Sequence, residues 1–228
     1  MTMLVDTGAI WAFTAGLICA AIDWLAVLRR NKRLEYVFKP ATLVAFIVGA
    51  WLLAGAGASG WLTSWFLAAL VFSLAGDVFL MLPGERWFLP GLVAFLIAHL
   101  AYIAGLNASL PPVQVWMLIP IAAALDLVVL RPIVAGARRS GAGEMAVPIV
   151  VYGVILSLMW VSGWVTWFRP TWTPTARACV SLGATLFFAS DLMLAWDRFV
   201  ERSQILHVLV IVTYHLAQLA LALVIGLA

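Results

Sequence analysis

The chain has 228 residues, of which 65% are hydrophobic and only 10% are Asp, Glu, Lys or Arg. Soluble domains are about 45–50% apolar and about 25% charged, so this composition excludes a soluble enzyme, a disordered chain and a coiled coil. The formal net charge of +3 is thinly spread and forms no basic stripe interleaved with aromatics, which excludes nucleic acid as a partner.

A membrane-spanning helix needs about 20 mostly apolar residues. Breaks at charges, Pro and Gly divide the chain into eight such stretches. The first, 9–28, has its basic residues after it, as in an uncleaved span and unlike a signal peptide. It carries Cys19 and ends on Asp23, Trp24 and Arg29. The second, 40–57, opens on Lys39-Pro40; Pro in the first turn starts a helix, and Lys39 is expected at headgroup level, holding a substrate phosphate or lipid headgroups. The third, 61–82, puts Ser73 and Asp77 on one face, with Gly76 beside them. The fourth, 88–106, aligns Phe88, Gly91, Phe95, His99 and Tyr102 in one stripe. The fifth, 113–130, carries Asp126 ahead of Arg131. The sixth, 148–168, opens on Pro148 and Tyr152. The seventh, 176–196, aligns Gly183, Phe187, Ser190, Asp191 and Leu194. The eighth, 204–227, aligns His207, Ile211, Tyr214, His215 and Gln218.

Backbone groups in hydrocarbon must be satisfied internally, and none of these stretches alternates as a barrel strand does. The predicted fold class is therefore all-α: one polytopic membrane domain of eight transmembrane helices with short connections. Cys19 and Cys179 show no paired or zinc-finger spacing and read as small buried residues. Eleven of the thirteen Lys and Arg fall in the odd-numbered loops. Positive residues mark the cytoplasmic side, so both termini are expected outside the cytoplasm. The Ala-, Trp- and Arg-rich composition points to a bacterial inner membrane.

The chain resembles itself. Asp23 in span one matches Asp126 in span five. Asp77 and His99 in spans three and four match Asp191 and His215 in spans seven and eight, with spacings of 22 and 24 residues. Two parallel four-helix repeats, 9–106 and 113–227, are expected, and such repeats place sites at their interface.

Four carboxylates lie inside spans, where a charge is expensive and faces the interior with a partner. At 1.5 Å per residue, Asp77 and Asp191 each lie about 9 Å inside the cytoplasmic helix ends. Asp23 and Asp126 are close enough to that end to pair with the basic loops instead. His99 lies about 16 Å deep, with His215 comparably placed, and His207 is nearer the interface. No two histidines have i,i+3 or i,i+4 spacing, so no metal is assigned. Packing between helices is the alternative reading of the small and polar stripes, including Ser73 and Ser190.

Together, Lys39-Pro40, Ser73-x-x-Gly76-Asp77, the Phe88-to-Tyr102 stripe, Pro148-x-x-x-Tyr152, Gly183-Ala184-x-x-Phe187-x-x-Ser190-Asp191 and Tyr214-His215-x-Ala217-Gln218 resemble the YhhN family of integral membrane proteins, which includes the animal lysoplasmalogenases. The resemblance runs from about Trp11 to Leu223. It implies hydrolysis of the vinyl ether of a lysophospholipid substrate to a fatty aldehyde and a glycerophospho-headgroup. It implies Asp77 and Asp191 as the catalytic pair. Lys39, Ser73, His99, Tyr102, Tyr152, Ser190, Tyr214, His215 and Gln218 are then expected to bind substrate. His215 departs from the family pattern, in which another aromatic is more usual, so the resemblance gives it no catalytic role.

The chemistry fits two carboxyl groups. Protonating the outer carbon of a vinyl ether gives an oxocarbenium ion, which water captures, as in glycoside hydrolysis. One carboxyl serves as acid and the other as base; Asp191 is taken as the acid and Asp77 as the base, with no cofactor. The lipid chain is placed among Phe79, Phe95, Phe187 and Phe188. Two rival readings remain from the sequence. One is a metal-dependent lipid amidase or esterase using His99, His215 and an aspartate. The other is a proton-coupled transporter, which would need ionisable groups on both sides of the membrane.

Overall fold

A computed structural model describes residues 7–55 and 60–227. Among these residues the chain forms eight α-helices: α1 (Thr7–Leu28), α2 (Lys32–Gly55), α3 (Trp61–Met81), α4 (Phe88–Leu106), α5 (Val115–Arg139), α6 (Ala146–Val165), α7 (Pro174–Phe199) and α8 (Gln204–Leu223). All eight are long and apolar enough to cross a membrane. The protein is an all-α, multi-pass integral membrane protein. Residues 56–57, expected to close the second span, and 58–59 of the following turn lie outside the described residues.

Two helices differ from expectation. Helix α2 starts at Lys32, eight residues before Pro40, so most of the predicted first loop is helical. Helix α5 runs through Pro132 to Arg139. Neither proline ends its helix, because neighbouring helices in a membrane protein keep the segment helical. The extension of α5 buries Ile133 and Ala137 beside Phe199 of α7.

Local signals explain the helix ends. Helix α1 closes with Arg30 at φ 56°, while the Asn31 N–H returns to the Ala26 carbonyl at 2.8 Å, a C-capping turn that satisfies otherwise orphaned carbonyls. Helix α7 opens on Thr173, whose hydroxyl accepts the Ala176 N–H at 3.1 Å, with Pro174 in the first turn.

The helices pair in sequence: α1 with α2, α3 with α4, α5 with α6, α7 with α8. Helix α8 also packs on α1, α2 and α3, and α4 packs on α6. Phe46, Phe66, Tyr102, Phe187 and Leu221 fill the central core. Close helix approach depends on missing side chains. A Cβ at Gly76 would lie 2.6 Å from the Phe95 ring, which lets α3 and α4 close together. Large apolar side chains such as Trp11, Trp51, Val128 and Val147 cover the outside.

At the end of the bundle away from the main basic loops, two of the described connections are tied together. Arg169, after α6, donates to Ser109 Oγ at 2.6 Å and to Asn107 Oδ1 at 3.1 Å, both after α4. Arg177 donates to the Arg169 carbonyl at 2.9 Å. Burial pulls the Arg169 guanidinium below its ordinary pKa.

Candidate active site

Asp77 and Asp191 both lie inside the bundle, 1% and 8% exposed. Each is held by side chains from two other helices. Lys39 of α2 places its Nζ 3.0 Å from Asp77 Oδ1, and Tyr214 of α8 donates to Asp77 Oδ2 at 2.7 Å. The Lys39 ammonium also stands 5.9 Å over the Tyr214 ring. Tyr152 of α6 donates to Asp191 Oδ2, and His99 Nε2 of α4 lies 3.0 Å from the same oxygen. His99 Nε2 is also 2.9 Å from the Tyr152 hydroxyl.

The two carboxylates are built alike. Each sits on the third helix of its four-helix half. Each takes one partner from the second helix of its own half, Lys39 or Tyr152, and one from the fourth helix of the other half, Tyr214 or His99. A buried charge needs such partners, because desolvation without compensation costs several kcal/mol.

They do not bond to each other. Phe95, Phe187 and Tyr214 stand among them, with ring centroids 5.5–6.2 Å apart in edge-to-face pairs, an arrangement that aromatic quadrupoles favour. His99 packs on Phe187 at 4.6 Å.

Only one of the pair opens onto the apolar cavity. Leu80, Phe88, Phe95, Leu130, Ile149 and Ala195 line a cleft in which Tyr152 and Asp191 supply the polar groups. Its free volume is small, about 40 Å³. Among the described residues no hydrogen bond reaches Asp191 Oδ1, whereas Oδ2 carries both partners.

The other sequence-predicted residues separate into groups. Lys39 is not at headgroup level: it is 7% exposed and paired inside the bundle, because α2 begins two turns earlier than expected. Tyr102 donates to Gln218 Oε1 at 2.8 Å, and both are fully buried, so they join α4 to α8 and do not face the cleft. Ser190 donates to the Val210 carbonyl at 2.9 Å and ties α7 to α8. Ser73 is buried one turn before Asp77, with no partner for its hydroxyl. His215 accepts the Trp24 indole N–H on Nδ1 at 3.1 Å. His99 and His215 therefore belong to different networks, and among the described residues no group of three His, Cys, Asp or Glu could hold a metal. Of the lipid-chain aromatics, Phe95 lines the cleft, while Phe187 is fully buried behind it.

Asp23 and Asp126 diverge despite their matching positions. Asp126 is half-buried and accepts from Ser157 Oγ at 2.7 Å. Asp23 is fully buried, and neither of its oxygens has a hydrogen-bond partner. A polar vestibule lined by Arg30, Lys32, Glu35, Asp197, Arg202 and His207 opens at the same end of the bundle.

The family model of the YhhN family matches residues 34–225. The chain is 33% identical to lysoplasmalogenase TMEM86B of Homo sapiens over 165 residues, 72% of this chain and 65% of that protein, so it spans about two thirds of the human relative's length. It is 31% identical to the membrane protein YhhN of Escherichia coli O157:H7 over 183 residues, 80% of this chain and 82% of that one. It is 31% identical to a lysoplasmalogenase of Mycobacterium bovis over 163 residues, 68% of this chain and 58% of that one. No solved structure matches significantly.

Proposed function

The chain belongs to the YhhN family, and on that premise we propose that it is a lysoplasmalogenase-like hydrolase. Its substrate is a lysophospholipid with a vinyl ether-linked chain. Relatives named lysoplasmalogenase in human and Mycobacterium bovis support this reading. The observation that carries it in this chain is Asp191: a carboxyl group with one bonded and one unbonded oxygen, at the wall of an apolar cleft. A lipid chain suits such a cleft, which is apolar with a few placed polar groups.

The reaction then runs as follows. Asp191 gives a proton from Oδ1 to the outer vinyl carbon. The double-bond electrons form the new C–H bond, and an oxocarbenium ion is left at the ether-linked carbon. The Asp191 carboxylate takes a proton from water as the water oxygen bonds to that carbon. The hemiacetal collapses: its hydroxyl loses a proton as the C=O bond forms, the carbon–glyceryl oxygen bond breaks, and the departing glyceryl oxygen takes up that proton. The products are a fatty aldehyde and a glycerophospho-headgroup. Tyr152 and His99 fix the orientation of the carboxyl through Oδ2. Asp77 lies outside the cleft, and its contribution is negative charge that stabilises the cationic intermediate.

Purified Asp191→Asn and Asp77→Asn proteins, assayed for aldehyde release from lysoplasmalogen, test this reading. Asp191→Asn lowers kcat by about 10² or more, the scale of losing a positioned acid or base. Retention of wild-type rates by both folded variants would falsify the two-carboxylate mechanism.

Both termini lie on the non-cytoplasmic side of a bacterial inner membrane. Arg29, Arg30, Arg86 and Arg202 in the connections α1–α2, α3–α4 and α7–α8, with Arg138 and Arg139 at the end of α5 and Arg198 at the end of α7, support that orientation. Alkaline phosphatase fused to the C-terminus is active under this topology; an inactive phosphatase beside a fluorescent fusion of GFP at the same point reverses it.

A further inference from the structure

Lys39 is a buried ammonium set among several acids. Its Nζ is 3.0 Å from Asp77 Oδ1, yet Asp77 already has a second donor in Tyr214. Asp23, on the neighbouring helix α1, has none. It is 0% exposed, and both of its oxygens lack a hydrogen-bond partner. Asp23 lies six residues before Arg29 and Lys39 eight residues after Asn31, so the antiparallel pairing of α1 with α2 sets the two at similar depth. A polar group buried without a partner is costly, and that cost is relieved if a donor reaches it in another arrangement. Lysine suits the task, because its ammonium is a compact charge on a flexible four-carbon stem.

We propose that Asp23 is a second seat for the Lys39 ammonium, and that Lys39 crosses from Asp77 to Asp23 during turnover. The crossing step rests on the lysoplasmalogenase reading; the existence of the second seat does not. While Lys39 sits on Asp77, the two charges cancel locally and the carboxylate offers little to a developing cation. Once Lys39 moves to Asp23, the negative charge of Asp77 stands uncancelled as the oxocarbenium ion forms. No bond is made or broken. A hydrogen-bonded ammonium changes partners, and Asp23 acts as a positioning residue through Lys39.

The second seat predicts a non-additive double-mutant cycle in the purified full-length chain. Asp77→Asn leaves Lys39 with Asp23, and Asp23→Asn leaves it with Asp77, so each single variant folds with a modest loss of Tm. The double variant strands the ammonium and loses more than the sum of the two, or fails to fold. Adding Lys39→Met to the double variant restores Tm toward the single variants. Additive losses, no recovery with Lys39→Met, or failure of either single variant to fold overturns the proposal.

Turnover tests the crossing. With lysoplasmalogen, Asp23→Asn lowers kcat by about tenfold or more with KM unchanged, and Asp23→Glu recovers most of the loss. An unchanged kcat overturns the crossing. If the wild-type chain releases no aldehyde, the substrate reading and the crossing fall together, while the stability cycle still decides on the second seat.

Discussion

Tyr152 donates its hydroxyl to Asp191 Oδ2, joining α6 to the carboxyl group at the wall of the apolar cleft. The bond falls on Oδ2 and leaves Oδ1 without a hydrogen bond among the described residues. Tyr152→Phe removes the donor and keeps the ring, so the cleft retains its shape. The expected stability loss is roughly 1.5–3 kcal/mol, typical of a hydrogen bond to a charged group, with kcat reduced by at least about tenfold. Thermal unfolding and aldehyde release measure the two effects. A folded Tyr152→Phe enzyme with wild-type kcat would show that Tyr152 does not orient the acid.

Lys39 supports the opposite carboxylate. Lys39→Met leaves Asp77 buried with no cation beside it. Breaking a buried pair by removing one partner costs about 3–5 kcal/mol. Adding Asp77→Asn to Lys39→Met recovers part of that loss, because one uncompensated charge disappears. Equal Tm values for Lys39→Met and wild type would contradict the burial of the pair.

The cleft makes a prediction about substrates. Ala195 is a small, half-buried residue on its wall. Ala195→Trp fills space that the lipid chain needs, and KM for a long-chain lysoplasmalogen rises by about tenfold or more, the scale of hydrophobic pocket changes. A short-chain analogue is less affected. If chain length makes no difference to the variant, the chain does not lie there.

Gly136 tests the packing of α5 on α7. A Cβ there would run into the Phe199 carbonyl oxygen, which is backbone and unable to swing aside. Gly136→Ala is expected to destabilise by about 1–3 kcal/mol, as overpacking does. Gly143 has nothing within 4 Å of a built Cβ, so Gly143→Ala stays within about 0.5 kcal/mol of wild type. Differential scanning fluorimetry in one detergent compares them. Similar Tm shifts for the two would mean that α5 and α7 do not approach this closely.

The eight spans were legible because hydrocarbon demands long apolar helices, and that demand is written in composition. Asp77 and Asp191 were legible for the same reason: a carboxylate stands out where charge is scarce. Their partners were harder to read. Lys39 reads as a loop residue because Pro in a first turn starts a helix, while the two turns before Pro40 are helical too. His99 and Tyr152 sit 53 residues apart in sequence and meet only through the packing of α4 on α6. Ser190 and Gln218 share faces with candidate site residues, yet they join helices, which the stripe alone does not distinguish. Asp23 and Asp126 match in sequence but differ in burial, because α1 packs on α8, whereas α5 is the helix with the least buried apolar window.

Arg169 and its bonds to Asn107 and Ser109 tie the α6–α7 connection to the α4–α5 connection, at the end of the bundle opposite Asp191. A hydrolase on this plan works from one leaflet. The same leaflet that supplies the lysolipid must receive the aldehyde, and the headgroup leaves to the water bordering that leaflet. Its throughput over the whole bilayer is then capped by how fast lysolipid flips across from the far leaflet.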